Sequence, residues 1–349
     1  MSMNKRLSVL VAILVLVVVA AIVTRVIDLD EARCGPQKLP PPAWSPDGSQ
    51  IAYAAVCNGN LEIFVIDADG SRPTRLTDNE TPDSGPAWSP GGTQIAYVSD
   101  PPPDFEGPAQ RSINVMGADG SDRLSLTSGS SDIAPEWSPD GTQIAFVRLV
   151  QQGDSSAGDI YVVNADGSSL SQLTDGPADD TGPTWSPDGA TLAFVSMRIG
   201  NKDIYLIDAD GSALTKLTDH PAQDRRPTWS PDGSKIVFES GRLGSWDVFV
   251  MNADGSEELG LTSHPFDDVW PSWSPDGQRI TWARRSGLDG HIYVIESDGT
   301  GETRINDLRL PVMTPSWSPD GRRVVFASVG LQIYAVEIDT GEVVQLTGE

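Results

Sequence analysis

Short apolar runs alternate with polar clusters along most of the chain, and one repeat shows this pattern clearly. Runs rich in Val, Ile, Phe, Leu and Tyr lie at 191–195, 203–207 and 214–218. Clusters of Gly, Asp, Asn and Pro separate them. Apolar runs bounded by such turn residues are typical of short β-strands. The repeat therefore predicts four strands, which we name A to D, with strand A ending at Trp185.

The phrase Trp-Ser-Pro-Asp-Gly heads each repeat, with Gly91 in place of Asp in the second copy. Its tryptophans are Trp44, Trp88, Trp137, Trp185, Trp229, Trp273 and Trp317. Successive tryptophans are 44, 49, 48, 44, 44 and 44 residues apart. A fixed period of this size is typical of a propeller or repeat array. Seven repeats predict an all-β fold, namely a seven-bladed β-propeller of four-stranded antiparallel blades. One N-terminal transmembrane helix is predicted to precede the propeller, from the composition of residues 7–27 described below.

Two turns in each repeat carry residues that suit particular backbone positions. In Ser186-Pro-Asp-Gly189 the proline fixes φ and the glycine takes the positive φ that ends the turn. Asp208-Ala-Asp-Gly211 uses similar chemistry between strands C and D. An EF-hand loop would need a Glu six residues after this glycine, where Leu217 stands. We therefore interpret the motif as a hairpin turn, and the repeated tryptophan as core between blades.

The N-terminus differs in composition from the repeats. Lys5 and Arg6 precede an apolar segment at 7–23, and the next charge is Arg25. Such a segment nearly spans the ~30 Å hydrocarbon core of a bilayer, and the preceding charges favour a cytoplasmic N-terminus. A signal peptide cleaved near Ala20 is the alternative. The predicted divisions are a cytoplasmic N-terminus (1–6), a transmembrane signal anchor (7–27), a stalk (28–41) and an extracytoplasmic propeller (42–349).

The chain is strongly acidic. Lys and Arg number 24 against 49 Asp and Glu, a formal net charge of −25. A negative surface argues against binding nucleic acid or anionic lipid headgroups directly. It suits a basic partner or a cation, and it also aids solubility without any partner. Since no phosphate loop or dinucleotide motif is present, we expect no cofactor.

The chain has two cysteines, Cys34 and Cys57. Cys34 precedes strand A of the first repeat, and Cys57 lies at the end of its strand B. In an oxidising compartment an even number of cysteines favours disulfide formation. We predict a Cys34–Cys57 disulfide that joins the stalk to the first blade, with two unpaired cysteines as the alternative.

The repeats resemble the blades of the TolB-type β-propeller family, in which Trp-Ser-Pro-Asp-Gly heads a four-stranded blade. Similar blades occur in the propeller domains of prolyl-oligopeptidase-type serine peptidases. The resemblance covers residues 42 to about 347. It implies a propeller outside the cytoplasmic membrane and a protein-binding role in the cell envelope. TolB, however, has a separate domain before a six-bladed propeller, so no TolB functional residue is carried over to this chain.

The added length of repeats 2 and 3 lies between strands B and C, in loops at 100–107, which contains Phe105, and at 151–158. In a four-stranded meander the B–C and D–A loops share one face. Insertions confined to one face are typical of a binding face. We therefore predict that a partner binds the B–C/D–A face of a monomeric propeller.

An aspartate lies five residues before the tryptophan in five of the seven repeats. These residues are Asp83, Asp132, Asp180, Asp224 and Asp268. Rotational symmetry makes them a partial carboxylate ring near the channel mouth, suited to a cation or a basic peptide. Alternatively, each accepts bonds from a neighbouring loop or pairs with an arginine of the B–C loops, namely Arg198, Arg242 or Arg285.

Three aromatic residues, Trp246, Phe266 and Trp270, lie in adjacent loops around the fifth blade. Aromatic side chains on an acidic loop face are typical of a protein-binding anchor, and equally of a local loop core. Both interpretations stay open.

Recognisable catalytic motifs are absent from the sequence. Gly-x-Ser-x-Gly does not occur, and the three histidines, His220, His264 and His291, fall in separate repeats and do not form a zinc set. We therefore predict a membrane-tethered scaffold that binds a protein or peptide. The alternative is an enzyme that acts on a glycan or another small molecule through residues lining the central channel.

Overall fold

The computed structural model describes residues 34–35, 41–102, 110–152, 155–286, 289–308, 310–328 and 332–347. All regular secondary structure in these ranges is β-strand. None of the described residues forms a helix that is long and apolar enough to cross a membrane. The predicted cytoplasmic N-terminus and transmembrane helix, nearly all of the stalk, and Phe105 lie outside the described residues.

The described strands form seven antiparallel sheets, one for each blade. Blade 1 contains β1 (Cys34–Gly35), β2 (Ala43–Trp44), β3 (Gln50–Cys57), β4 (Asn60–Asp67) and β5 (Thr74–Arg75). Blade 2 contains β6 (Asp83–Trp88), β7 (Gln94–Ser99), β8 (Ser112–Gly117) and β9 (Leu124–Ser125). Blade 3 contains β10 (Ser131–Trp137), β11 (Gln143–Gln152), β12 (Ser155–Asn164) and β13 (Ser171–Gln172). Blade 4 contains β14 (Asp180–Trp185), β15 (Thr191–Ser196), β16 (Asp203–Asp208) and β17 (Thr215–Lys216).

The last three blades repeat this arrangement. Blade 5 contains β18 (Asp224–Trp229), β19 (Lys235–Ser240), β20 (Asp247–Asn252) and β21 (Leu259–Gly260). Blade 6 contains β22 (Asp267–Trp273), β23 (Arg279–Ser286), β24 (Asp289–Glu296) and β25 (Thr303–Arg304). Blade 7 contains β26 (Val312–Trp317), β27 (Arg323–Ser328), β28 (Ile333–Glu337) and β29 (Val343–Gln345).

Each blade is a meander, because each strand pairs with its neighbours in sequence. The predicted seven-bladed propeller with four-stranded antiparallel blades is confirmed. Blade 1 has a fifth strand, since β1 and β2 both pair with β3. The insertion of repeat 3 is mostly strand rather than loop, because β11 and β12 stay paired from Gln143↔Asn164 as far as Gln152↔Ser155.

The apolar core lies between neighbouring blades. Seven buried clusters correspond to the seven interfaces between blades. One of them joins Ile51 and Tyr53 of blade 1 to Val325 and Ala335 of blade 7. The ring therefore closes through the same kind of packing that joins the other blades, with no strand exchanged between the first and last blades. Each interface acts as a small core of its own, as expected for a repeat architecture.

The repeated tryptophan also joins each blade to the one before it. In all seven blades its indole N–H donates to the main-chain carbonyl of the residue that precedes the neighbouring tryptophan. The bond from Trp185 to Glu136 measures 3.2 Å, and the bond from Trp44 to Ser316 measures 3.4 Å and closes the ring. Buried indole N–H groups usually find such a partner.

The turn after each tryptophan is held by its own side chains. Ser45 donates its hydroxyl to Asp47 at 2.6 Å and accepts the N–H of Gln50 at 2.9 Å. The Ser45 bond, followed by bonds from Ser49, lowers the pKa of the Asp47 carboxyl. Gly48 has a φ of +68°, and a Cβ there would lie 3.5 Å from Pro319 of blade 7. Glycine is therefore favoured by its backbone angle, and its small size lets neighbouring turns pack closely.

The first blade also holds the cysteines. Strand β1 places Cys34 opposite Cys57 of β3, and Cys57 is disulfide-bonded. The chain contains no third cysteine. This arrangement is the one that the predicted Cys34–Cys57 bond requires.

The indole bonds can be tested with Trp185→Phe, which keeps an aromatic ring but removes the N–H donor. We expect the free energy of unfolding to fall by about 1 kcal/mol more than the smaller ring alone would cost, which is the usual net value of one hydrogen bond. The matched control is Trp282→Phe, because the Trp282 Nε1 is buried without a hydrogen-bond partner in the described residues. The equivalent position in blade 4 is Phe194, so phenylalanine is compatible with this part of a blade, and the control should lose only the stability that the smaller ring costs. Equal losses in urea denaturation would contradict the proposed role of the indole bond.

Candidate functional site

The five repeated aspartates are fully buried near the start of strand A. Asp132 forms a two-bonded ion pair with Arg148 at 2.7 and 2.8 Å, and Asp268 forms one with Arg284 at the same distances. The pairs of the fourth and fifth blades are Asp180 with Arg198 at 2.8 Å and Asp224 with Arg242 at 3.2 Å. Asp83 instead accepts from Ser99 and Asn79.

These contacts match the second alternative for the aspartates, in which the carboxylates are bonded within the loops. The expected partner Arg285 is wrong for Asp268, because Arg284 points toward that carboxylate and Arg285 is exposed. A carboxylate that is buried and paired with a guanidinium holds two segments together. Binding of a cation or basic peptide by this set of aspartates stays a prediction, and the described contacts do not favour it.

A second buried carboxylate lies on strand C of blades 3, 4 and 5, at Asp159, Asp203 and Asp247. Burial, together with the nearby charge of Asp180, raises the pKa of the Asp159 carboxyl to about 6. Asp159 Oδ1 and Asp180 Oδ1 are buried and have no hydrogen-bond partner in the described residues. The described part of the chain contains no group of three or more His, Cys, Asp or Glu placed to hold a metal ion.

A cavity of about 1020 Å³ lies on the propeller axis, lined by strand A residues of all seven blades. Prolines two residues before the tryptophans form much of its wall: Pro42, Pro86, Pro135, Pro183, Pro271 and Pro315. The residues between proline and tryptophan contribute mainly small side chains, such as Ala87 and Ser316. We call this space the central cavity.

The residue before each of these prolines is where the blades differ. In blades 2 to 7 it has a positive φ, between 48° and 63°. These residues are Gly85, Ala134, Gly182, Arg226, Trp270 and Thr314. Positive φ is uncommon for residues other than glycine, and strained backbone of this kind clusters at functional sites. In blades 5 to 7, therefore, large side chains occupy a position that suits glycine.

Two of these residues belong to a cluster at one edge of the cavity. The rim cluster comprises Arg225, Arg226, Glu239, Trp246, Trp270 and Arg285. The fully buried Glu239 accepts from Arg225 at 2.6 Å, from Arg226 at 3.1 Å and from the main-chain N–H of Trp270 at 2.7 Å. One carboxylate thus connects the start of β18 to β22.

Stacking completes the rim cluster. The guanidinium of Arg225 lies 3.5 Å from the ring centroid of Trp246, and those of Arg226 and Arg285 each lie 5.5 Å from that of Trp270. Such cation–π contacts are attractive, and more so where water is excluded. The side chain of Arg285 forms neither an ion pair nor a hydrogen bond with the residues that the structure describes. Its guanidinium is exposed on the B–C/D–A face and is available to a ligand.

The local charge of the rim is opposite to that of the chain. Three guanidiniums, from Arg225, Arg226 and Arg285, face Glu239 and the nearby Asp267, which accepts the main-chain N–H of Trp246 at 3.1 Å. The net charge of this group is therefore +1 in a chain of net charge −25. The rim thus favours an acidic group in whatever binds there.

Of the predicted aromatic residues, Trp246 and Trp270 come together in the rim cluster. Phe266 is 46% exposed, and its ring lies 5.1 Å from that of His264. Sequence reasoning missed Arg225, Arg226 and Glu239, and it named Arg285 only as a possible partner of a repeated aspartate. Glu239 could have been found by comparing repeats, because the equivalent positions hold apolar residues such as Val195 and Ala283.

A second missed residue is Glu136, which lines the central cavity. Other repeats have Ala, Ser or Thr at its position, for example Thr184 and Ser272. Its carboxyl group has no hydrogen bond or ion pair with any described residue. Burial raises the pKa of this carboxyl to about 7. A strongly shifted acid in a cavity is a candidate functional group.

The family of the protein follows from its repeats. A family model for the TolB β-propeller domain matches residues 36–130 and 112–286, more than half of the chain. The chain belongs to the TolB β-propeller domain family. A search of curated proteins found no match to this TolB-family chain.

Solved structures place this TolB-family propeller among proteins of several activities. TolB from Acinetobacter baumannii is 26% identical with a TM-score of 0.54, over 74% of this chain and 63% of that chain. An oligogalacturonate lyase in complex with manganese is 18% identical with a TM-score of 0.68, over 85% and 87% of the two chains. A puromycin-hydrolysing peptidase of Mycobacterium tuberculosis is 16% identical with a TM-score of 0.68, over 92% and 54%. The last two show a shared fold alone.

The role of the buried aspartates can be tested with Asp268→Asn, which leaves the nearly buried Arg284 with Glu302 as its remaining ion-pair partner. Breaking a buried pair in this way should cost roughly 3 kcal/mol of unfolding free energy. The matched control is Asp83→Asn in the TolB-family propeller's second blade, whose partners are neutral. It should cost clearly less in chemical denaturation. Unchanged or higher stability of Asp268→Asn would instead support a site built from repelling carboxylates.

Proposed function

We propose that this protein is an extracytoplasmic, membrane-tethered scaffold that binds a protein or peptide through its B–C/D–A face. The observation that carries the proposal is the rim cluster. Tryptophan and arginine are the residue types that most often provide the binding energy of protein interfaces. Here they lie together at the mouth of a cavity, supported from beneath by a buried carboxylate.

The rim cluster also suggests what the partner presents. An exposed guanidinium at Arg285 and a partly exposed one at Arg226 suit a carboxylate, with Trp270 beside them for an apolar group. The expectation of a basic partner therefore does not extend to the rim. We propose that the bound segment places an acidic residue there.

The proposed location rests on the sequence and on Cys57. The apolar segment at 7–23 follows Lys5 and Arg6, the charge pattern of a segment that leaves its N-terminus in the cytoplasm. Cys57 is disulfide-bonded, and disulfides persist in oxidising compartments. Both observations support a propeller tethered outside the cytoplasmic membrane.

An enzyme is the second candidate, and Glu136 is the observation that favours it. A carboxyl with a pKa of about 7 is suited to exchange protons at neutral pH. General acid–base catalysis usually needs a second group within reach of the same substrate. Among the described residues that line the central cavity there is no histidine. The one carboxylate besides Glu136 in this lining belongs to Asp100, and it is paired with Arg111. Binding is therefore the better-supported function.

The rim proposal can be tested with Arg285→Ala, which removes an exposed guanidinium and should lower the melting temperature only slightly, because its contact with Trp270 is exposed to solvent. Binding of a cross-linked and identified partner to the detergent-solubilised full-length chain should weaken about tenfold or more, equivalent to roughly 1.4 kcal/mol. Arg322→Ala is the matched control, since Arg322 is equally exposed on the opposite, A–B turn face. A partner that loses affinity only for the Arg322 variant would place the interface on the other face.

The proposed location can be tested by thiol labelling of the full-length chain, denatured directly from intact cells. We expect that neither Cys34 nor Cys57 is labelled before reduction and that both are labelled after it. In a Cys34→Ser variant, Cys57 should become labelled without reductant, because its partner has been removed. Labelling of both cysteines in the unreduced parent protein would contradict the disulfide and the oxidising location together.

A further inference from the structure

One layer of the central cavity contains a single long side chain. The residues just before six of the tryptophans line this layer, namely Ala43, Ala87, Glu136, Thr228, Ser272 and Ser316, and Thr184 has the equivalent position in blade 4. Six of these side chains are a methyl group or a small alcohol. The main-chain carbonyl of Glu136 accepts the indole N–H of Trp185, so its backbone position is held by the ring of tryptophan bonds. The Glu136 side chain therefore starts from a fixed backbone position and is longer than the other side chains of this layer.

The other charged groups of the cavity already have partners. Asp100 and Arg111 pair with each other, with 2.5 Å between Oδ1 and Nε. Arg226 pairs with the buried Glu239 at 3.1 Å. Among the charged residues of the cavity lining, Glu136 is thus the one whose side chain has no hydrogen bond or ion pair in the described part of the chain. The Glu136 carboxylate carries a charge that nothing in the cavity wall neutralises.

The rest of the cavity lining indicates which kind of group could neutralise the Glu136 carboxylate. Prolines and the edges of Trp44, Trp88 and Trp317 form an apolar wall, which suits an alkyl chain or a peptide backbone. The hydroxyls of Thr228, Ser272 and Ser316 add hydrogen-bond acceptors. An ammonium group has three donors around one compact charge, which matches one carboxylate and scattered hydroxyls. A guanidinium favours a planar, two-bonded partner and matches less well.

We propose that Glu136 binds a primary ammonium group of a ligand in the central cavity, supplied by a lysine side chain or by the free amino terminus of a peptide. The inference deepens the proposed function, since the ligand is taken to be a peptide segment. It uses residues other than those of the rim cluster, so the two sites can succeed or fail separately.

Ammonium binding must be linked to the proton on Glu136. Burial alone raises its pKa to about 7 in the free protein, and a bound cation favours the ionised form. About half of the carboxyl groups are ionised at pH 7.0 and roughly one in thirty at pH 5.5. The affinity for the cation should therefore be roughly 15-fold weaker at pH 5.5.

The same pKa has a consequence for stability. Because the pKa of Glu136 in the folded state is raised above its ordinary value of 4.5, folding favours the protonated acid. Its contribution to stability is most favourable at low pH and is lost as the pH rises from about 4.5 to about 7. Glu136→Gln removes this titration. The melting temperature of the variant, relative to that of the parent protein, should therefore increase as the pH rises across this interval.

Three amidated tetrapeptides test the proposal by titration calorimetry on the full-length protein. The first has a blocked amino terminus and one lysine, the second has a free amino terminus and norleucine in place of lysine, and the third is blocked and has norleucine. None has a carboxylate, so none needs the rim cluster. The variants are Glu136→Gln and Glu136→Thr, and the second copies the residue of blades 4 and 5 at this position and should fold.

We expect at least one ammonium peptide to bind the parent protein more tightly than the neutral peptide at pH 7.0, and roughly 15-fold less tightly at pH 5.5. Whichever of the two binds identifies the source of the ammonium group. Both variants should reduce that affinity at least tenfold, to the level of the neutral peptide, and abolish the pH dependence. Absence of binding, equal binding of all three peptides, or unchanged binding by the variants would overturn the proposal while leaving the rim prediction standing.

Discussion

The hydrogen bond from each repeated indole to the preceding blade fixes where the other repeated residues lie. Its acceptor is the residue just before the neighbouring tryptophan, so each blade both donates and accepts one such bond. Trp44 and Ser316 are 272 residues apart in sequence, and their bond makes the last interface like the others. The central cavity follows from this constraint. The seven A strands are joined to one another by the same bond, so they surround the axis as a ring and leave a space within it.

The fold could be predicted because the residues that make these contacts recur in the sequence. Trp185 and the turn from Ser186 to Gly189 need only their own repeat and one neighbour, and both are visible as a period. The B–C insertions were harder to predict. In repeat 3 the added residues lengthen a hairpin through the pair Gln152↔Ser155. Extra length shows where a chain departs from the repeat, but not whether the added residues pair as strands.

The site could be predicted only in part. Trp246 and Trp270 were found because large aromatics in polar loops stand out in any sequence. The repeated aspartates were found as well, but their environment depends on the arginine that the adjacent strand supplies, as Arg284 does for Asp268. Glu239 and Glu136 resemble surface acids in a single sequence. Glu239 is buried and Glu136 lines the cavity because of how neighbouring blades are arranged. The sequence of one repeat alone does not specify that arrangement.

The acids of this chain therefore fall into two groups with different physical roles. The repeated aspartates all have partners: four pair with an arginine, and Asp83 accepts hydrogen bonds from neutral side chains, because a buried carboxylate without any partner would destabilise its blade. Acids that occur in one blade only, at positions where the other blades have other residue types, do not have to be accommodated in every blade. Glu239 gathers two arginines at the rim, and Glu136 has no partner in the cavity wall. The left-handed residues Arg226 and Trp270 break the repeat at the same face. In a ring of similar blades, the residues that all blades share stabilise the ring. The residues found in one blade only provide functional groups for a ligand that the other blades lack.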